Sequence, residues 1–157
     1  MKKLMLFAGL SCLYMGLYAF VPVHTVKSDL SPVNASERAK AHFRNTYADA
    51  PDATWYTESN QSIYCLFHQG KTIERVCYDK RGYWRYTLLS YPGDYLDKDL
   101  ADLILKEFED YRITYVNEIR SDFDEPVYIV NIEDAGNIKV IKLIHGEIEV
   151  SQDLKKG

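Results

Sequence analysis

Apolar positions along this chain follow two periods in turn. Ala35, Ala39, Phe43 and Tyr47 recur at helical spacing. Asn34 precedes them as an N-cap, Glu37 stands three residues on as in a capping box, and Pro51 is the expected stop. The period then shortens. Trp55 and Tyr56 start a strand, and strand-like runs follow from Ile63 to Phe67, Ile73 to Tyr78 and Tyr83 to Leu89, parted by Gly70 and by Asp79-Lys80-Arg81-Gly82. These are hairpin spacings and predict an antiparallel meander. Tyr91-Pro92-Gly93 breaks it. A second helix is predicted from Asp97, with Leu100, Leu103, Ile104, Phe108 and Tyr111 as its buried stripe and Asp97, Asp99 and Asp102 at the positive end of its dipole. Strands resume from Ile113 to Ile119, Val127 to Ile132 and Ile138 to Ile144, with a short end strand from Glu147 to Val150.

The fold class is therefore α+β, and the order of elements occurs twice. A shift of 64 residues carries Tyr47 onto Tyr111, Trp55 onto Ile119, Tyr64 onto Tyr128 and Gly82 onto Gly146. Neither half is long enough to bury much alone. Two tandem helix-plus-antiparallel-meander units, 34–91 and 97–150, are expected to form one sheet with both helices on one face. They make a single domain, 34–150, with an extended lead at 20–33 and a tail at 151–157.

The first residues change the picture. Lys2 and Lys3 precede an uncharged apolar run from Leu4 to Phe20, which reads as a signal peptide, 1–19, cleaved near Ala19. A membrane anchor and lipidation at Cys12 are the alternatives. Cleavage leaves a net charge of about −6. A periplasmic or secreted protein without a membrane span after cleavage follows, and the acidic balance argues against nucleic acid as a partner.

In an oxidising compartment Cys65 and Cys77 read as a structural disulfide. A hairpin loop of odd length centred on Lys71 would set them opposite each other; an even count would turn them to opposite faces. Four-ligand zinc spacing is absent, and the two cysteines are too far apart for a redox CxxC. The acidic stretches from Asp94 and from Asp122 lack EF-hand spacing. "RGYWRYTL" begins like an RNA-binding strand, then fails at Trp84 and Arg85. His24, His42, His68 and His145 sit in different elements without triad or metal partners. No catalytic residue, cofactor site or metal site is expected. With 13 Tyr, 6 Phe and 2 Trp, some aromatic side chains should be free to meet a partner, and Tyr56, Tyr83 and Arg85 are the candidates.

The order of motifs resembles the bacterial PepSY-like proteins, whose fold resembles the β-lactamase inhibitor protein. It consists of the export signal, Phe43 and Tyr47 at the end of the first helix, Trp55, a strand with Tyr64 and Phe67, the turn Tyr78-Asp79…Gly82…Trp84, and a second helix-plus-meander unit. The resemblance spans Asn34 to Val150. It implies an exported domain to which no enzyme activity is generally attributed, and the cysteine pair is a departure from it. No inhibitory contact residue maps onto this chain. The expected function is a non-catalytic exported binding module, inhibitor-like, with a protein or envelope component as partner. A small-ligand carrier or envelope sensor is the alternative: a deep apolar pocket would favour it, and an open aromatic sheet face would favour protein binding.

Overall fold

The computed structural model describes residues 31–50, 52–57, 61–122 and 124–157. The signal segment 1–19, with Cys12, and the lead as far as residue 30, with His24, lie outside the described residues, as does Pro51.

Nine antiparallel strands form one sheet in chain order. They are β1 (Ser31–Pro32), β2 (Thr54–Thr57), β3 (Ile63–Gln69), β4 (Thr72–Tyr78), β5 (Trp84–Pro92), β6 (Arg112–Ser121), β7 (Asp124–Glu133), β8 (Asn137–Ile144) and β9 (Glu147–Lys155). Helix α1 (Glu37–Thr46) fills the β1–β2 connection, and α2 (Lys98–Glu107) fills the β5–β6 connection after a single 3-10 turn at Gly93–Tyr95. Strand therefore starts within the lead, at Ser31, and continues through the segment read as a tail, as far as Lys155.

Both helices are capped by side chains. Asp97 accepts from the backbone N–H groups of Asp99 and Leu100, as its position in the sequence suggested. The cap of α1 is Ser36, two residues later than Asn34; its Oγ accepts from Ala39 N at 3.3 Å. Asn34 instead accepts from Lys40 Nζ at 2.6 Å. The helix ends at Thr46, where Tyr47 N–H donates to Phe43 O at 2.8 Å. The β4–β5 turn closes against the N-terminus of α1. Gly82 has φ +83°, and a Cβ there would run into Ser36 Oγ, so the turn needs glycine for its backbone conformation and for the close approach.

Two core clusters lie under the helices. Ala39 and Phe43 of α1 pack with Cys65, Phe67, Val76 and Tyr78. Ile104 of α2, fully buried, packs with Leu89, Tyr91, Val116, Val130, Ile141 and Leu143. Burying one such side chain contributes about 1.5–3 kcal/mol. Phe43 anchors an aromatic group, its ring centroid 5.4 Å from those of both Trp55 and Phe67.

The register of the β3–β4 hairpin corrects the disulfide. Gln69 pairs with Thr72, which leaves the even, two-residue loop Gly70-Lys71. Cys65 is therefore opposite Val76, and Cys77 opposite Tyr64. The cysteines point to opposite faces, and both are buried thiols outside any disulfide. Cys65 lies in the α1 cluster, whereas Cys77 lies in a separate cluster with Tyr56 and Tyr64. Burial pushes the Cys65 thiol up to about 12.

Candidate functional site

Two surfaces carry unusual side chains. The first follows from strand register, because residues directly opposite each other in an antiparallel pair share a face. One row crosses four strands as Tyr56, Tyr64, Cys77 and Tyr86. The Tyr56 and Tyr64 rings stack at 5.3 Å, and Tyr86 is hydrogen-bonded to Tyr64 and Cys77. Burial first, then those two neighbours, raise the Tyr86 hydroxyl above its ordinary range. The next row runs Leu66, Arg75, Leu88, Ile119 and Val127. The guanidinium of Arg75 sits 5.8 Å from the Tyr64 ring centroid. Beyond it, Ser90 Oγ donates to Asn117 Oδ1 at 2.7 Å, and Asn117 is opposite Ile129. No helix residue belongs to the aromatic cluster on this side, and Leu66, Leu88, Ile119, Val127 and Ile129 are only half-buried.

The second surface is a cleft of about 490 Å³ beside α1, adjoined by one of about 410 Å³ beside α2. Leu89 and Arg120 line both. Strand alternation puts two glutamates among core residues here. Glu74 is opposite Phe67 and Leu89, and Leu89 is opposite Glu118. Both glutamates are buried, 6% and 5% exposed. Their surroundings differ. Glu118 accepts from Tyr91 Oη at 2.9 Å and from Arg120 Nε at 2.5 Å. That bond is the main reason the Arg120 guanidinium is raised further, while burial and then the Glu118 charge raise Tyr91. Among the described residues Glu74 receives no hydrogen bond. Burial raises its carboxyl above the usual range; the Arg120 charge acts against this and the Glu118 charge adds to it.

The wall of the cleft is set by hydrogen bonds to Thr87. Tyr47 Oη lies 2.9 Å from Thr87 Oγ1, and Trp84 Nε1 donates to the same oxygen at 3.0 Å. His42 stacks on Trp84 at 5.9 Å between ring centroids, and its Nδ1 is 3.0 Å from Tyr78 Oη. Among the described residues no group of His, Cys, Asp and Glu is arranged to hold a metal ion.

The three residues singled out from the sequence as partner contacts are not brought together. Tyr56 is buried in the aromatic row. Tyr83, 49% exposed, borders the cleft, with Arg38 4.2 Å above its ring. Arg85 is exposed and is the extra residue of a bulge, since Trp84 pairs with Tyr78 and Tyr86 with Cys77. Sequence reasoning missed Glu74, Glu118 and Arg120. The signal was there: each glutamate alternates with core valines, Glu74 with Val76 and Glu118 with Val116.

No protein-family model matches this chain, and no curated protein matches it. Solved structures do. A BLIP-like protein from Bacteroides fragilis NCTC 9343 superposes with a TM-score of 0.64 at 12% identity, covering 80% of this chain and 90% of that one. A DUF2874 family protein from Bacteroides ovatus ATCC 8483 gives 0.62 at 12% identity, over 78% and 89%. A protein of Bacteroides eggerthii DSM 20697, whose name proposes that it is periplasmic, gives 0.60 at 14% identity, over 78% and 90%. The fold is thus BLIP-like, that of the β-lactamase inhibitor protein, as the resemblance implied. At these identities the likeness shows the fold alone. Among the described residues no helix is long and apolar enough to cross a membrane.

Proposed function

We propose that this chain is a non-catalytic binding module of the periplasm or cell exterior, inhibitor-like in design, that takes a protein partner on the helix-free face of its sheet. One observation carries the reading: adjacent rows of aromatic and aliphatic residues, from Tyr56 to Tyr86 and from Leu66 to Val127, lie on one side of the strands with no helix in their cluster. Parity of register supports placing both helices on the other side. Val76, under α1, is opposite Thr87; Leu89, under α2, is two residues further along the same strand. Tandem units are supported by the repeated series of one helix and four strands, α1 with β2–β5 and α2 with β6–β9, in which Gly82 and Gly146 both have positive φ. The export signal, the motif order of PepSY-like proteins and the periplasmic name of one structural neighbour support the location. Tyr56 is proposed as part of the contact surface and Arg85 as a contact at its rim, while Tyr83 borders the cleft beside α1 and is proposed as a separate contact there.

An apolar carrier pocket is not favoured, because the ionisable side chains of Glu74 and Arg120 line the cleft of about 490 Å³. The test uses the Leu88→Glu/Ile119→Glu double variant, two half-buried residues directly opposite each other on β5 and β6. With unchanged circular dichroism, it should capture its partner from envelope extract at least about tenfold more weakly, as loss of an interface centre implies. Leu103→Glu, on the exposed side of α2, is the control and should bind as the parent does. Full binding by the double variant, or equal loss in the control, contradicts the proposal.

A further inference from the structure

The two clefts beside the helices are acidic beyond what the fold needs. Their walls carry Glu74, Asp122, Asp97 and Glu118 against a single arginine, Arg120. Arg120 and Glu118 are bonded to each other. Glu74 is left over: more than nine-tenths buried, on the wall of the larger cleft, and without a hydrogen bond among the described residues. Among the described residues no fully buried side-chain oxygen lacks a partner, so the Glu74 carboxylate reaches the open space of the cleft, where an incoming donor can bond it. Aromatic rings of Tyr47 and Trp84 flank the same space, and such rings favour cations over their faces or beside their hydroxyls. The space is too large for a bare ion and has no metal-ligand geometry.

We propose that the cleft beside α1 binds an alkylammonium group, with Glu74 as its anionic partner, Tyr47 and Trp84 as walls for the aliphatic stem, and Asp122 at the mouth. Free diamines and the lysine side chain of another protein share this chemistry. The site lies on the helix-bearing surface and does not depend on the sheet-face reading, so either can fail without the other. Binding should be coupled to protons. The groups facing Glu74 are Arg120 and Glu118 from β6 and Tyr47, the C-cap of α1; Phe67 and Leu89, opposite it on β3 and β5, carry no charge, and His42 of α1 borders the same cleft. An arriving cation joins Arg120 in favouring the ionised Glu74 and expels its proton.

The test is calorimetric titration of the full chain with cadaverine and, separately, with a blocked Gly-Lys-Gly peptide, in two buffers of different ionisation enthalpy. Saturable binding is expected, with proton release as the pH is lowered to about 4.5, where the raised Glu74 carboxyl holds its proton. It should weaken by roughly tenfold or more in Glu74→Gln, as loss of a charged hydrogen-bond partner implies. Pentanediol and hexanoate, which lack the ammonium group, should not bind. Cadaverine binding alone assigns a free amine as the source, and peptide binding alone assigns a protein lysine. If Glu74→Gln does not fold, the proton release and the ammonium requirement in the parent decide the matter. The proposal is overturned by no binding of either cation at millimolar concentration, by binding unchanged in Glu74→Gln, by binding without proton release even at about pH 4.5, or by equal affinity for pentanediol or hexanoate.

Discussion

At the scale of single residues, the informative positions are those where local pattern and environment disagree. Glu74 reads in sequence as one more strand charge between Ile73 and Arg75. Only the register, which sets it opposite Phe67 and Leu89, makes it a buried carboxylate. Glu118 is the same case with a different outcome, because Tyr91 and Arg120 bond it. The pH consequence of Glu74 has a definite sign. Its carboxyl is raised above the ordinary 4.5, chiefly by burial. Between that value and the raised one the folded state holds more protons than the unfolded state, so stability falls as pH rises through the window, and the full penalty applies above it. Glu74→Gln lacks this slope. It should exceed the parent's stability at neutral pH by on the order of 1 kcal/mol. The gap should shrink on acidification and vanish below the unfolded carboxyl range. Urea denaturation from pH 4 to pH 8 measures it; a constant gap, or a destabilised variant at neutral pH, would speak against a strained buried charge.

Elements were far more legible than their junctions. Both helices and the eight longer strands follow from two apolar periods and a handful of glycine and proline breaks. What the pattern could not supply is the exact count of a turn. In the β3–β4 hairpin, Gly70 marks the turn but not whether two or three residues make it. The structure uses two, and that single residue decides that Cys65 and Cys77 lie on opposite faces. The cap of α1 slipped for a related reason: Asn34 and Ser36 are both good caps, and the close approach of Gly82 to Ser36 selects the second. β9 outran its apolar pattern because an exposed polar segment can pair with β8 through its backbone, from Asn137↔Lys155 to Ile144↔Glu147, joined by the Lys139–Asp153 ion pair and by Ser151 Oγ donating to Val140 O. The two unbridged thiols give a direct check. A Cys12→Ala chain, unfolded without reductant, should react with Ellman's reagent at two thiols. In the folded state both should react slowly, since each is buried and the Cys65 thiol is pushed up to about 12. Absence of reactive thiols in the unfolded chain would mean that the hairpin register is wrong.

For the whole molecule, a meander of nine strands with two helices gives a sheet of two unlike sides, and a BLIP-like fold. The proposed placement of α1 and α2 on one side accounts for the apolar residues packed against them. It does not account for Tyr86, Leu66, Leu88, Ile119, Val127 and Ile129, which remain half-buried on the other. Neighbouring rows of partly exposed apolar side chains fit the proposed interaction surface. The sequence indicated the aromatic load but not its distribution, because faces depend on register and register depends on turns. Tyr83 and Tyr56 therefore looked alike in sequence and ended in different surroundings. Site-specific photo-crosslinking in the intact cell envelope tests the central claim most directly. A photoreactive side chain is placed in turn at Leu88 and Ile129, on the proposed contact face, and at Arg44 and Leu103, exposed positions on the two helices away from the clefts. The account predicts a discrete protein adduct from the first two positions and none from the second two. An adduct formed from Arg44 or Leu103 but not from Leu88 or Ile129 would contradict it.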